Sequence, residues 1–319
     1  MGGICGNHPF HVARECPTMR YSRRDFLKLS ASSGIAAAAS TTLFGAPTSP
    51  SEVYTGKGAT VETITKVLKK MGGIERFVKP GARVLIKPNM SFANPPEWAT
   101  NTSPEAVYIV AKLCLDAGAK RVIICDNVLH DPELCKQKTG IPAAVKNLKG
   151  TVIYIPKQAA SFIEKSDSRA GELTRVAVVK EVYQSDCFIS LCGAKSHAAG
   201  FVSFNTKGLM GLVKDRDVYH RDMDLHTAIA EQLYYMKPNL SIVDASRALL
   251  DNGPAGPGKV VELKTFVAGT DIVAVDSFGV SLASWYGRKC EGKQVQHLKI
   301  ANKLGFGNVE SSMIKEIAV

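Results

Sequence analysis

Apolar residues along this chain recur with two different periods. Val61, Ile64, Val67, Leu68 and Met71 fall at helical spacing and predict a helix over 60–72. Arg83-Val-Leu-Ile-Lys87 is a short apolar run that closes on Pro88-Asn89, the pattern of a buried strand. Ser103 followed by Pro104 reads as an N-cap with proline at the first helical position, opening a helix to Asp116 that Gly118 stops. Residues 121–125 predict a strand ending at Asp126. A helix follows over 133–148, interrupted at Gly140-Ile141-Pro142, and then a strand over 151–155.

The second half repeats the alternation. Strands are predicted at 174–179 and 187–192, followed by a glycine-rich stretch from Gly193 to Gly211. A helix over 224–236, a strand over 240–244 closing on Asp244, and a strand over 262–268 come next. Thr270-Asp271 caps a helix to about Trp285, and a last helix covers roughly 294–304. Strand and helix alternating in this way predict an α/β fold: a mostly parallel sheet flanked by helices on both faces. Open α/β sheets place their sites in loops after the carboxyl ends of strands. Those loops hold Lys87-Pro88-Asn89, Asp126-Asn127, Cys192 to His197, and Asp244.

The N-terminal fifty residues read differently. Ser22-Arg23-Arg24-Asp25-Phe26-Leu27-Lys28 precedes a mild, uncharged run rich in Ala and Ser, and resembles a twin-arginine export signal. The run is too short and too weakly apolar for a transmembrane helix of about 20 residues. Residues 1–50 are therefore expected to be an extension plus signal, and residues 51–319 the folded α/β domain. The expectation is export to the periplasm through the twin-arginine translocase, with membrane contact only through an uncleaved signal. Cleavage near Ala38-Ala39-Ser40 and near Gly45-Ala46 are both open, as are Met1 and Met19 as the start. Cys5, His8, His11 and Cys16 precede the signal at spacings that match no closed zinc pattern.

Charge adds one expectation. The chain carries +11, and residues beyond 50 carry +8, with 35 basic against 27 acidic side chains. A basic folded domain suits a small anionic substrate. No basic stripe interleaved with aromatics and no nucleic-acid motif accompanies it, so nucleic acid is not an expected partner. Six cysteines lie beyond the signal: Cys114, Cys125, Cys135, Cys187, Cys192 and Cys290. An even count permits disulfides in an oxidising compartment, yet four of them sit in apolar strand or helix patterns where buried thiols are common. No ferredoxin-type cysteine run is present.

Reactive groups concentrate in one stretch. Lys195 and His197 follow a strand directly, Lys207 lies ten residues beyond His197, and His220 and His226 come after. Imidazoles near neutral pH move protons or bind metals, and lysines neutralise anions or act as nucleophiles when desolvated. A solvated Lys-Ser-His turn is the alternative, and the spacing lacks a specific metal pattern.

From Lys87 to about Asp276 the chain resembles the DUF362 family. The matching pieces are Lys87-Pro88-Asn89, Thr102-Ser103-Pro104, Ala117-Gly118-Ala119, Asp126, Lys195-x-His197, Thr206-Lys207-Gly-Leu-Met-Gly211, His220, Asp244, Gly253-Pro254 and Gly269-Thr-Asp271 with Asp276. Gly208 stands where the family usually has Asn. More distantly, His197 to Lys207 is similar to the His-x-x-Ala-Gly-Phe stretch and its following Lys in nickel-pincer lactate racemase. Phe204-Asn205 stands in place of that enzyme's Gly-Gly pair.

These resemblances imply a site. His197 and Lys195 would be catalytic, as acid/base and anion holder. Lys207, Asn89, Asp126 and Asp244 would hold a cofactor, and His220 with His197 would bind a metal. The expected function is metal- or cofactor-assisted proton or hydride transfer on a small anionic substrate, with nickel or iron as candidate metals. The alternatives are an iron–sulfur electron-transfer accessory protein, in which Cys125, Cys187 and Cys192 converge, and a periplasmic binding protein for a small anion.

Overall fold

The computed structural model describes Gly45 and residues 47–319; the twin-arginine motif and the four metal-type residues before it lie outside the described residues. In chain order the elements are β1 (Ser51–Lys57), α1 (Thr60–Lys70), β2 (Arg83–Pro88), α2 (Pro104–Asp116), β3 (Arg121–Cys125), α3 (Pro132–Lys138), α4 (Ile141–Val145) and β4 (Thr151–Tyr154). Then come β5 (Phe162–Ser166), β6 (Arg175–Val179), α5 (Glu181–Gln184), β7 (Cys187–His197), β8 (Phe201–Ser203), α6 (Asn205–Gly208), α7 (Asp217–Arg221) and α8 (Leu225–Glu231). The chain closes with β9 (Leu240–Leu249), β10 (Val260–Gly269), α9 (Ile272–Ser281), β11 (Ser284–Trp285), β12 (Arg288–Lys289), α10 (Gln296–Lys303) and β13 (Ile314–Ala318).

The main sheet runs β13-β1-β10-β9-β7-β2-β3-β4, with β8 folded back on β7. The fold is α/β and the sheet mostly parallel, as the alternation predicts. β2 pairs in parallel with both β3 and β7, β3 with β4, β7 with β9, and β1 with β13. β10 runs antiparallel to both its neighbours, and the short β8 is antiparallel to β7. Side-chain alternation along each strand splits the core into two layers. Val84, Ile86, Ile124 and Ile189 face a layer with Ile64 and Val67 of α1 and Val107 and Val110 of α2. Leu85, Ile123, Phe188 and Val243 face the other, with Ile229 of α8, Val273 of α9 and Leu298 of α10.

Several elements differ from the sequence expectation. β7 runs on through the glycine-rich stretch to His197, because Lys195, Ser196 and His197 find antiparallel partners in β8. The segment at 175–179 is a strand but pairs with β5, outside the main sheet. The helix expected to Met236 ends at Glu231 in a tighter turn over 232–234, two turns short of Pro238. The helix expected to Trp285 ends at Ser281, since the Trp285 indole N–H donates to the Val280 carbonyl at 2.8 Å and folds the chain back. Tyr286 and Gly287 then both take positive φ, 51° and 74°, as a tight turn between β11 and β12 requires. β1, β5 and β13 carry too many polar residues to stand out as strands, and β8 is only three residues long.

Strand order locates the site. β3 and β4 succeed β2 on one side, whereas β7 lies on its other side, so the connections reverse direction between β2 and β7. A crevice opens at the carboxyl ends of strands at such a reversal.

Asp271 joins three distant segments at the far edge. Its carboxylate caps α9 through the Val273 and Ala274 N–H groups and also accepts from the Ser51 hydroxyl and the Asn308 N–H. Asp271→Ala is expected to lower stability by at least the roughly 1–2 kcal/mol of a lost N-cap. Urea denaturation checks this; an unchanged midpoint would contradict it.

Candidate active site

A cleft of about 110 Å³ sits over the reversal, lined among others by Lys87, Asn89, Asp126, Lys195, His197, Lys207, Arg216 and His220. Its floor is an ion pair. Lys87 ends β2 and Asp126 follows β3, and their charged atoms lie 2.9 Å apart with both side chains essentially unexposed. The Lys87 amine also donates to the Pro88 carbonyl. The second Asp126 oxygen accepts from the Met90 N–H at 2.9 Å and the Ser91 hydroxyl at 2.8 Å. Gly211 passes directly over this pair: a Cβ there would lie 2.0 Å from Asp126 Oδ1. Only a residue without a side chain lets the backbone cross so closely.

Asn89 links the two strands of the reversal. Its Oδ1 accepts from the Gly193 N–H of β7 at 3.0 Å, and its backbone N–H donates to the Thr102 hydroxyl at 2.8 Å. Asp244 is placed elsewhere. It accepts from the Ser103 N–H at 2.8 Å and the Ser246 N–H at 3.0 Å, holding the start of α2 against β9, and does not line the cleft. The structure thus brings Asn89 and Asp126 to the cleft with the lysines and histidines, and leaves Asp244 behind it.

Lys195 lies 3 % exposed at the end of β7. Its ammonium donates to the Thr100 carbonyl and sits 4.9 Å from the Phe92 ring centroid. Burial, above all, pushes its pKa down to about 8. Lys207 is 5 % exposed, and the polar contact of its amine is the Met210 thioether sulfur at 3.3 Å. Among the described residues no carboxylate pairs with Lys195, Lys207 or Arg216. Burial, then the charges of Lys195 and Arg216, push the Lys207 pKa down to about 7. Gly200 gives its stem room, since a Cβ there would lie 2.9 Å from Lys207 Cδ.

The turn carrying Lys207 is held from below. Asp276 on α9 accepts from both nitrogens of Asn205 and from the Thr206 N–H, at 2.6–3.1 Å. Burial pushes this carboxyl up to about 6, against those hydrogen bonds. The Gln232 amide donates to the Thr206 carbonyl at 2.6 Å.

His197 is half-buried, and its Nδ1 accepts from the Ala199 and Gly200 N–H groups at 3.2 and 3.1 Å. An Nδ1 that accepts puts the ring proton on Nε2. Burial, then Lys207 and Lys195, push its pKa down to about 2, so the ring is neutral and offers an N–H to the cleft. The loop that supplies these donors is strained at Phe201, whose φ is 66°. His220 on α7 stacks on His197, with ring centroids 6.3 Å apart and planes 7° from parallel.

Arg216 and Ser91 line the cleft without a signal in the sequence. Arg216 sits in a run of mixed charges that reads as a solvated surface, and only the fold turns it inward.

A metal centre made of protein side chains does not fit. Among the described residues no three His, Cys, Asp or Glu side chains gather around a common point. His197 commits Nδ1 to backbone donors, whereas an imidazole bound to metal through Nε2 carries its proton on Nδ1. The three cysteines considered for a cluster are separated by strand alternation. Cys187 faces one core layer and Cys125 the other, and Cys192 lies beside Ser190 at 3.8 Å. Burial pushes all three thiols up, which disfavours the thiolate a metal would need.

Two substitutions separate floor from frame. Lys87→Met leaves Asp126 buried without its countercharge and is expected to cost about 3–5 kcal/mol. Asp244→Ala is expected to destabilise by roughly 1–3 kcal/mol by orphaning the buried Ser103 N–H and the part-buried Ser246 N–H, while any affinity of the cleft for small anions stays unchanged. Denaturation curves and anion titrations of both variants check this; a loss of anion affinity in folded Asp244→Ala would contradict it.

A thylakoid-associated protein of Synechocystis sp. is 28 % identical over 226 residues, covering 69 % of this chain and 68 % of that protein. Among solved structures, the lactate racemase apoprotein from Thermoanaerobacterium thermosaccharolyticum aligns with a TM-score of 0.44 and 12 % identity, over 72 % of this chain and 57 % of that one. The profile of the domain of unknown function DUF362 matches residues 84–281, from the first strand of the cleft to the end of α9, and the chain belongs to that family.

Proposed function

We propose that the cleft binds a small anionic substrate and that the protein is an enzyme moving a proton on it. The observation that carries this reading is charge without countercharge. Lys87 is neutralised by Asp126, but Lys195, Lys207 and Arg216 face the same small cleft with no carboxylate in ion-pair contact, Asp217 on the lining acting on Arg216 only at longer range. Buried lysines in such a place are held for an anion that arrives with the ligand, and the partly exposed Arg216 stands at its entrance.

Each side chain then has a task. Lys195 and Arg216 hold the anionic group. Lys207, with a pKa near 7, exists as amine and ammonium together at neutral pH, and its free amine can take a proton from the carbon beside that group. The electron pair left on carbon moves onto the substrate's adjoining oxygen. The His197 Nε2–H donates to that oxygen, and the ring stays neutral as an electrophile does best. Asn89, Asp126 and Asp276 keep these groups in position.

Hydride transfer needs an acceptor that none of these side chains provides. A cofactor bringing its own metal donors would ask this chain for one amine to attach to and one imidazole. Lys207 and His220 fit those two demands, and such a group when bound would supply the hydride acceptor. We also propose that the chain is exported by the twin-arginine route, on the strength of Arg23-Arg24 and the run behind them.

The sign of the pH dependence follows from the lysines. Anion affinity is highest while Lys207 and Lys195 are charged and falls as pH rises through about 7 and about 8. Calorimetric titration with acetate, lactate and pyruvate is expected to show affinity falling roughly tenfold or more between pH 6 and pH 9. Lys195→Met should weaken binding by a similar factor at pH 6. An affinity indifferent to both would contradict the reading. Deuterium exchange from solvent into the bound acid tests the chemistry. His197→Ala is expected to abolish exchange without unfolding; retained exchange would remove His197 from the mechanism.

A further inference from the structure

Lys207 has more to offer than a proton. Its amine is buried, meets a thioether rather than an acid, and sits at the edge of a cleft with two further cations. The groups whose charge it feels are Lys195 and Arg216, and the groups that feel its charge include His197, His220, His226 and His297. None of these supplies a negative charge. A lysine kept from water and beside other cations is held partly as the free amine, and a free amine is a nucleophile toward a carbonyl carbon.

The surroundings select the carbonyl compound. Lys195 and Arg216 attract a carboxylate, and the His197 Nε2–H stands ready for a carbonyl oxygen. A molecule carrying both groups on adjacent carbons is a 2-oxo acid, and a short one suits a cleft of about 110 Å³. The geometry also protects the amine as nucleophile. Asp276 and Gln232 fix the turn that bears Lys207, and Gly200 leaves its stem unhindered.

We infer that Lys207 forms an imine with the carbonyl carbon of a short 2-oxo acid, with Lys195 and Arg216 holding the carboxylate and His197 donating to the carbonyl oxygen. The step balances without a redox partner. The Lys207 nitrogen bonds to the carbonyl carbon, giving a carbinolamine. One proton passes from nitrogen to oxygen and a second comes from solvent; the carbon–oxygen bond breaks, the oxygen departs as water, and the nitrogen keeps its other proton. The resulting iminium draws electrons from the neighbouring carbon and makes its protons more acidic, so toward a 2-oxo acid Lys207 acts as nucleophile instead of as the base. The inference rests on the cleft's being an anion site and names its substrate class.

The test is reductive trapping. Full-length protein is incubated at pH 7 with pyruvate and sodium cyanoborohydride, digested, and mapped by mass spectrometry for carboxyethyl-lysine. With a pKa near 7, Lys207 holds on the order of a thousandfold more free amine at that pH than an ordinary surface lysine. The expected result is a carboxyethyl adduct on Lys207 at roughly tenfold or more the level on any exposed lysine. Excess acetate, which binds as an anion but has no carbonyl to condense, should suppress it, and prior denaturation should abolish the preference. Labelling of Lys207 no greater than that of exposed lysines would overturn the imine. If pyruvate still binds the cleft calorimetrically in that case, the anion site stands and only the imine fails. If neither pyruvate nor acetate binds, the anion reading fails with it.

Discussion

The ion pair between Lys87 and Asp126 is the constraint on which the site is built. It closes the floor of the crevice where the strand order reverses, between the ends of β2 and β3. Two charges this deep are tolerated because each meets the other and Asp126 also accepts from Met90 and Ser91. The pair fixes where Gly211 must run, and therefore where the turn bearing Lys207 begins and ends. It also commits the Asp126 carboxylate, leaving Asp217 as the other acid on the cleft lining. The remaining cations, Lys195, Lys207 and Arg216, have no carboxylate in ion-pair contact, and that imbalance is the basis of the anion site proposed for the cleft.

An unpaired buried lysine is a liability in the free protein. In the unfolded chain the Lys207 amine keeps its proton into the ordinary lysine range, about 10.4; in the fold it gives it up near 7. Between those values the unfolded chain binds more protons, so this residue's contribution to stability rises with pH across that window. Below about 7 the full cost of a buried charge is present. A bound anion offsets that cost, so ligand and fold stabilise each other most on the acidic side.

Much of the fold was legible in the sequence because its strands are continuous apolar runs and its helices announce their ends. Ser103-Pro104 opens α2 and Asp271 opens α9, with the side-chain caps expected of them. The illegible parts depend on contacts distant in sequence. β13 is a half-exposed edge strand defined by its neighbour β1, and β7 outruns its apolar pattern because β8 folds back on it. The site divides the same way. Lys195, His197 and Lys207 could be found because they cluster after a strand. Asp244 also follows a strand run, yet its carboxylate is consumed by Ser103 and Ser246, and no local pattern distinguishes a carboxylate that holds a helix from one that faces a ligand. Arg216 shows the reverse, a charge that reads as surface until α7 is placed. The neutral state of His197 was equally hidden, since it is set by the backbone donors of Ala199 and Gly200 and by two lysines brought near by folding.

All of this turns on the charge state of one amine. The direct measurement is competitive acetylation of the folded protein across pH, with Lys207 read individually by mass spectrometry. The account predicts that Lys207 titrates near 7, well below the exposed lysines in the same sample. A midpoint in the ordinary lysine range, about 10.4, would leave almost no free amine at neutral pH and would contradict both the proton transfer and the imine.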